Sequence, residues 1–388
     1  MNAARGGQAT HSTPTRASTS AAQNLSPAYP RRAAWGTAGS LRAWQAAALA
    51  QYLETMPQDF LAVATPGAGK TTFALRVATE LLSSADVHKV TIVCPTEHLK
   101  YQWAEAAARV GIHIDPSYSN SQGALGSRFD GVALTYAQVA ANANLHRART
   151  DQARTLVILD EIHHGGDALS WGDAIREAFT PARRRLALTG TPFRSDTSPI
   201  PFVRYKEDAS GAKRSQADYS YGYSDALRDG VVRPVMFMSY SGQMRWRTKA
   251  GDEVAARLGE PLTKDLESQA WRTALDPAGE WIPAVLAAAD QRLTEVRRQV
   301  PDAGALVIAS DQAKARAYAK QLRAITGEAP TVVLSDDNGA SSRIEAFSAS
   351  TDRWLVAVRM VSEGVDVPRL AVGVYATSTS TPLFFAQA

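Results

Sequence analysis

Residues 60–72 read Phe-Leu-Ala-Val-Ala-Thr-Pro-Gly-Ala-Gly-Lys-Thr-Thr: an apolar run, a glycine-rich turn, then a lysine and two threonines. The run Phe60–Ala64 predicts a buried strand, and the residues after the turn predict a helix. Between them Thr65, Pro66, Gly67, Ala68 and Gly69 make a loop of the kind that binds phosphate. Glycine-rich backbone turns tightly enough there to aim successive N–H groups at phosphate oxygens, with a helix N-terminus behind them. Lys70 is placed to reach β- and γ-phosphates, Thr71 to hold Mg²⁺ through its hydroxyl, and Thr72 closes the loop. Ala64 opens the motif where glycine is usual, a tolerated variant. A plain glycine turn with a surface lysine is the competing reading, and the strand–loop–helix context weighs against it.

A second stretch answers the first. Residues 156–164 read Leu-Val-Ile-Leu-Asp-Glu-Ile-His-His, a buried strand ending in two adjacent carboxylates. Ligands in open α/β sheets bind at the C-terminal ends of strands. Asp160 is therefore expected to coordinate Mg²⁺, and Glu161 to orient or deprotonate an attacking water. An acidic pair at a strand end is often only a solvated turn, but the phosphate loop upstream favours chemistry. His163 and His164 have no other ligand residues clustered with them, so they read as hydrogen-bonding groups and not as a zinc site.

Outward from these motifs the chain alternates strand and helix. Phe60–Ala64, Val90–Cys94, Val132–Thr135, Leu156–Leu159 and Leu186–Thr189 are short runs rich in Val, Leu, Ile or Phe. Continuous apolar strands alternating with helices imply an α/β fold with a mainly parallel sheet covered on both faces. The polar stretch 195–220 reads as a long excursion, after which Val235–Met238 is expected to close the first sheet. Residues 243–283 carry three tryptophans but no clear period and read as a link. A second alternation then begins with Leu306–Ser310, a helix over Gln312–Thr326, and strands at Thr331–Leu334, Trp354–Val358 and Val372–Ala376. The expected organisation is a tail over 1–34, a first domain over 35–240, a linking segment over 241–283 and a second, incomplete domain over 284–388.

Bulk composition sets outer limits. The 388 residues are 45% hydrophobic and 21% charged, ordinary for a globular protein, and no window approaches a membrane span. The single cysteine, Cys94, excludes an intramolecular disulfide framework and suits a reducing cytoplasm, the expected location. A net charge of +4 permits nucleic-acid binding without arguing for it. Met1 to Leu53 contains no Asp or Glu but includes Arg5, Arg16, Arg31, Arg32 and Arg42. Pro14, Pro27 and Pro30 interrupt it and no apolar face is present, so it reads as a weakly basic disordered tail and not as a targeting helix.

The order of the motifs resembles the DEAD/DEAH-box helicases of superfamily two, in the branch near type III restriction-enzyme motor subunits. The resemblance runs from about Ser40 to Ala388 and implies two RecA-like domains closing on ATP and Mg²⁺. Leu41-Arg42-Ala43-Trp44-Gln45 is similar to the family's adenine-reading segment, with Gln45 on the base; an amide can both donate to and accept from adenine. Asp160-Glu161-Ile162-His163 stands as the DExH box. His163, with Thr189 and Thr191 of Thr189-Gly190-Thr191-Pro192, falls where the family couples nucleotide state to nucleic-acid grip. Pro95, Thr96 and Gln102, and Thr135 before Tyr136, fall where it contacts the nucleic-acid backbone, as does Ser310 in the second domain. Glu363-Gly364-Val365-Asp366-Val367-Pro368 is similar to the fifth motif, so Gly364 and Asp366 are expected to face the nucleotide and Arg359 to lie along the nucleic acid. Tyr221-Gly222-Tyr223 and Ala226-Leu227-Arg228-Asp229-Gly230 are also similar to this branch, with no assigned chemistry.

The family's sixth motif carries arginine fingers, and this sequence stops at Ala388, one residue after Gln387, the residue in the place of its opening Gln. Such a finger is worth roughly 10³–10⁵ in rate, so a fragment that binds ATP but turns it over weakly is expected. The function implied is an ATP-dependent helicase or translocase, DNA being favoured and RNA possible. The alternatives are a nucleotide-gated binding module without hydrolysis, or the motor subunit of a restriction or defence complex with a nuclease or specificity partner. No membrane partner is expected.

Overall fold

The structure, a computed structural model, describes residues 41–122, 125–166, 169–192, 199–207, 213–237, 243–247, 253–257, 263–334, 339–358 and 367–378. Helix α1 (Ala43–Thr55) precedes strand β1 (Asp59–Ala64), which the phosphate loop joins to α2 (Lys70–Ser83). Next come β2 (Lys89–Cys94), α3 (Glu97–Ala108), β3 (Ile114–Asp115) and β4 (Gly131–Thr135). Helices α4 (Tyr136–Ala141) and α5 (Ala143–Asp151) lead to β5 (Thr155–Asp160), a 3-10 turn over Ile162–Gly166, α6 (Leu169–Phe179) and β6 (Arg184–Thr189). A hairpin of β7 (Arg204–Glu207) and β8 (Lys213–Gln216) is followed by β9 (Tyr219–Tyr221) and α7 (Tyr223–Arg228).

These strands form one sheet in the order β3-β4-β2-β5-β6-β1-β9, parallel at every pairing. Val, Ile, Leu and Ala of its central strands are buried on both faces. One face packs on α1, α2 and α3, with Phe73, Ala74, Val77, Ala78 and Leu81 forming the helical stripe of α2. The other face packs on α4 and α6 through Tyr136, Val139, Ile175 and Phe179. Parallel strands end together, so the loops after β1, β5, β6, β2 and β4 share one rim.

Of the expected strand Val235–Met238, residues Val235–Phe237 do not join this sheet, and Met238 lies outside the described residues. Val235, Met236 and Phe237 lie outside any strand and are 60%, 75% and 76% exposed. The edge belongs to β9, at the end of the excursion, because its tyrosines have a partner: Tyr221 stacks on Trp44 of α1, ring centroids 5.2 Å apart. Asp218 fixes the register, accepting from Leu61 N at 2.8 Å.

The stretch read as a link holds defined elements. Strands β10 (Gln243–Arg247) and β11 (Glu253–Arg257) pair antiparallel, and α8 (Lys264–Ala274) follows. Trp271 and Leu275 pack into the second core, where the Tyr318 hydroxyl donates to Leu275 O at 2.7 Å. Three short elements of different kinds leave no common period, which is why the sequence reads as shapeless there.

The second core comprises α9 (Trp281–Arg297), β12 (Gly304–Ala309), α10 (Gln312–Thr326), β13 (Thr331–Val333), α11 (Ala340–Ala349), β14 (Trp354–Val358) and β15 (Leu370–Ala376). Its four described strands run parallel in the order β13-β14-β12-β15. Asp311 caps α10 by accepting from Lys314 N at 2.8 Å, and Gly327, at φ 78°, ends it in the left-handed region. Arg233 of the first unit reaches the second, donating to the carbonyls of Pro368 and Leu370. No described helix is long and apolar enough to cross a membrane.

Candidate functional site

The rim after β1, β5 and β6 gathers the charged residues of the two motifs. Gly67 and Gly69 take φ of 76° and 91°, which side-chain-bearing residues rarely adopt. A Cβ on Gly69 would stand 2.7 Å from Gln45 Nε2, so a side chain there would have to displace the Gln45 amide. Lys70, the first residue of α2, curls back to donate to Ala64 O at 3.2 Å and pairs with Glu161 Oε1 at 2.8 Å. Strand β6 lies between the two motif strands, and its following residue, Gly190, touches both. Its N–H donates to Glu161 Oε2 at 3.3 Å, and a Cβ there would come within 3.1 Å of Pro66 Cδ.

Asp160 ends β5 and Glu161 follows at φ 46°, a left-handed conformation costly for a non-glycine residue and held by the contacts just named. Asp160 is 9% exposed. Burial, with the neighbouring Glu161 carboxylate, pushes its carboxyl up to about 6, against the pull of Lys70 and the Trp103 indole. Burial acts on Glu161 in the same sense, but Lys70 and His163 outweigh it and hold that carboxyl below the ordinary range. Two adjacent carboxyls with affinities pushed apart can divide labour, one to be ionised by a metal and one already ionised.

His163 sits at the 3-10 turn, with Nδ1 2.9 Å from Thr189 Oγ1, 3.4 Å from Thr191 Oγ1 and 3.6 Å from Glu161 Oε2. Thr189 also accepts from Thr191 N at 3.0 Å. The three residues expected to couple thus form one buried network touching Glu161.

Gln45 lies beside the loop but is engaged with protein: Oε1 accepts from Arg42 N and Nε2 donates to Gly69 O, both at 2.8 Å. Reading a base edge requires exchanging those bonds. Pro95 and Thr96 follow β2, and Thr96 caps α3; Thr135 ends β4 directly beside Cys94 and caps α4 through Gln138 N at 3.1 Å. Gln102 is exposed and bonds His98 at 2.9 Å. Ser310 follows β12, bonded to Asp311 and Lys314 at 3.1 Å each. Gly364, Asp366 and Arg359 lie outside the described residues.

Four residues support the site in roles not assigned from sequence: Arg42, Trp44 and Tyr136 lie in motifs already quoted, and Trp103 lies outside them. Trp44 Nε1 donates to Ala68 O, and Arg42 to Gly67 O and Ala68 O, all at 3.1 Å, so α1 braces the loop carbonyls. Trp103 Nε1 donates to Asp160 Oδ2 at 2.8 Å, and the Tyr136 hydroxyl to Asp160 O at 2.8 Å. Both aromatics fall on apolar stripes, which hid their polar ends.

Residues 38–194 match the family model described as "Type III restriction enzyme, res subunit". The solved structures with a similar fold include the ATP-dependent Type ISP restriction-modification enzyme LlaBIII bound to DNA, at a TM-score of 0.57. That likeness covers 90% of this chain and 26% of that one at 15% identity. A fragment of a putative HsdR subunit of a type I restriction enzyme from Vibrio vulnificus YJ016 follows at 0.56, 15% identity, covering 89% of this chain and 59% of that one. Dbp5 of S. cerevisiae, bound to RNA and ADP BeF3, is similar at 0.51 and 12% identity, over 89% of this chain and 78% of that one. This chain resembles a superfamily-two helicase motor near the res subunits. Its fold is that of two RecA-like units, as in these motors. Among curated proteins, this chain is 66% identical over 348 residues to "Uncharacterized protein Rv2917" of Mycobacterium tuberculosis, covering 90% of this chain and 58% of that protein. It is 65% identical over the same length to "Uncharacterized protein ML1624" of Mycobacterium leprae. The chain thus spans 58% of the length of the curated relatives it matches.

Proposed function

We propose that this chain is an ATP-hydrolysing motor segment that grips and moves along nucleic acid, with DNA as its track. The observation that carries the proposal is the contact of Lys70 with Glu161 at 2.8 Å, with Gly190 N–H on the other carboxylate oxygen. A phosphate-loop lysine and a strand-end glutamate share one charge-balanced point beneath the glycine loop. Phosphate oxygens of ATP would draw Lys70 from Glu161, leaving the carboxylate to orient water in line with the γ-phosphate.

The donor set fits Mg²⁺: the Thr71 hydroxyl and the Asp160 carboxylate are hard oxygen ligands, few in number, as a metal also bound by phosphate and water requires. When bound, Mg²⁺ neutralises charge on the phosphates during transfer. Thr189, Thr191 and His163 then report the state of Glu161 to the loop after β6. Pro95, Thr96, Gln102, Thr135 and Ser310, with Arg359 along the same track, provide a sequence-independent grip on the sugar-phosphate backbone. Gln45 meets adenine, and Gly364 and Asp366 meet the nucleotide from the second unit. Stepping needs grip that differs between nucleotide states. DNA is favoured because the res-subunit match and the two restriction-type neighbours point the same way, while Dbp5 keeps RNA in the test.

The test is fluorescence anisotropy of labelled single- and double-stranded DNA and RNA with ADP, or with a non-hydrolysable ATP analogue. The proposal expects DNA affinity to differ about tenfold between the two nucleotides. Equal affinity in both states, or no binding to DNA, would contradict it, and a nucleotide-dependent preference for RNA would overturn the choice of track.

A further inference from the structure

The two first-unit loops that the proposed function sets against a nucleic-acid backbone converge on one residue of the ATP site. Pro95 and Thr96 open α3, and two turns along it the Trp103 indole N–H donates to Asp160 Oδ2 at 2.8 Å. Thr135 ends β4, and the very next side chain, Tyr136, donates its hydroxyl to the Asp160 backbone carbonyl at 2.8 Å. The loops are neighbours, since Cys94 pairs with Thr135 in the sheet. Trp103, Tyr136 and Asp160 are 2%, 0% and 9% exposed, so these bonds form out of water, where geometry and donor identity matter most.

An indole nitrogen can only donate, so Trp103 has one role toward a carboxylate: to fix an oxygen. The indole occupies one lone pair of Oδ2 and so fixes the rotation of the carboxylate, and with it the direction in which both oxygens face a metal. The phenol bond fixes the peptide from which that carboxylate projects. We infer that Trp103 and Tyr136 are positioning residues that hold Asp160 for Mg²⁺ and tie its placement to the two nucleic-acid-facing loops. The inference rests on the proposed function, and it names a path from track to metal. When α3 or α4 shifts on binding a backbone, the carboxylate shifts with it. Outer-shell partners of metal ligands act in this way, and their loss costs about 10–100-fold in metal affinity.

Packing alone would also bury these rings, so the test removes the donors and keeps the rings: Trp103→Phe and Tyr136→Phe. A fluorescent ADP analogue is bound to each protein, Mg²⁺ is titrated in from EDTA, and the titration is repeated with a DNA oligonucleotide. The inference expects affinity for the analogue without Mg²⁺ to stay within about twofold of wild type. Half-saturating Mg²⁺ should rise about tenfold in each variant, and the shift that DNA produces in wild type should shrink or vanish. Equal half-saturating Mg²⁺ in wild type and a folded Tyr136→Phe variant would overturn it. That substitution removes one oxygen and keeps the ring, so it decides the matter if Trp103→Phe fails to fold. A wild type whose analogue binding ignores Mg²⁺ would instead refute the proposed function and the inference with it.

Discussion

Two clusters of buried charge sit at opposite ends of the two parallel sheets, and their partners set them apart. At the C-terminal rim of the first sheet, Lys70, Asp160, Glu161 and His163 face one another, so each side chain has an ionisable neighbour. At the N-terminal end of the second sheet, Arg369 is 6% exposed and donates to the carbonyls of Phe347, Asp302 and Asp352 and to Ser350 Oγ. It also lies over the Phe347 ring at 3.9 Å, and a Cβ on Gly304 would strike its Nη1 at 2.7 Å. A charge satisfied by fixed carbonyls staples loops together. A charge satisfied by other charges can be exchanged for a ligand. Within the first unit Arg184 and Arg185, at the strand starts far from the rim, combine the two: they pair with Asp86 and Asp59 and are also held by the carbonyls of Met56, Phe179 and Thr180.

The sharpest break between the clusters is kinetic. Glu161→Gln keeps shape and nucleotide binding but removes the carboxylate, and turnover should fall about 10²–10⁴-fold in a coupled ATPase assay. Arg369→Ala should do the reverse. It strands buried carbonyls, should cost about 3 kcal/mol of stability in the second unit by denaturant titration, and should leave ATP affinity of the first unit unchanged. Arg369→Lys should recover little, since one ammonium cannot reach the acceptors that the guanidinium fork spans.

A titration sharpens the comparison from another side. His146, buried against Arg149, has its affinity for protons pushed down to about 4, burial being the larger cause. The unfolded chain, titrating near 6.5, binds more protons between those values, so stability is fully present above pH 6.5 and falls as pH drops toward 4. The loss is on the order of 3 kcal/mol. Denaturant melts at pH 7 and pH 5 check the sign, and His146→Gln should flatten the slope if its side chain keeps the Asn120 contact at 3.0 Å. The smallest effect is a cap: Asp311→Ala should cost the second unit about 1 kcal/mol, read from its melting temperature.

Much of this was legible in the sequence because local chemistry and tertiary role agree at the motifs. The strand before the phosphate loop, the glycines that must turn left-handed, and the carboxylates at the end of β5 each declare themselves within ten residues. So did α10, expected and found over Gln312–Thr326. What stayed hidden depends on partners distant in sequence. Strand β9 is three residues long and is selected over the more apolar Val235–Phe237 stretch by the Trp44 ring. Trp103 carried no sequence signal and Tyr136 only that of its neighbour Thr135, and the fold alone turns their polar ends onto Asp160. Gln45 lies beside the phosphate loop with its amide engaged by Arg42 N and Gly69 O, which no spacing rule reveals.

Steady-state ATP turnover by this chain, with and without single- and double-stranded DNA, beside Glu161→Gln, tests the central claim most directly. The account predicts turnover above background, raised by DNA and lost in the variant, whatever its absolute rate. Turnover that persists undiminished in Glu161→Gln, or none in a folded wild-type sample with DNA present, would contradict it.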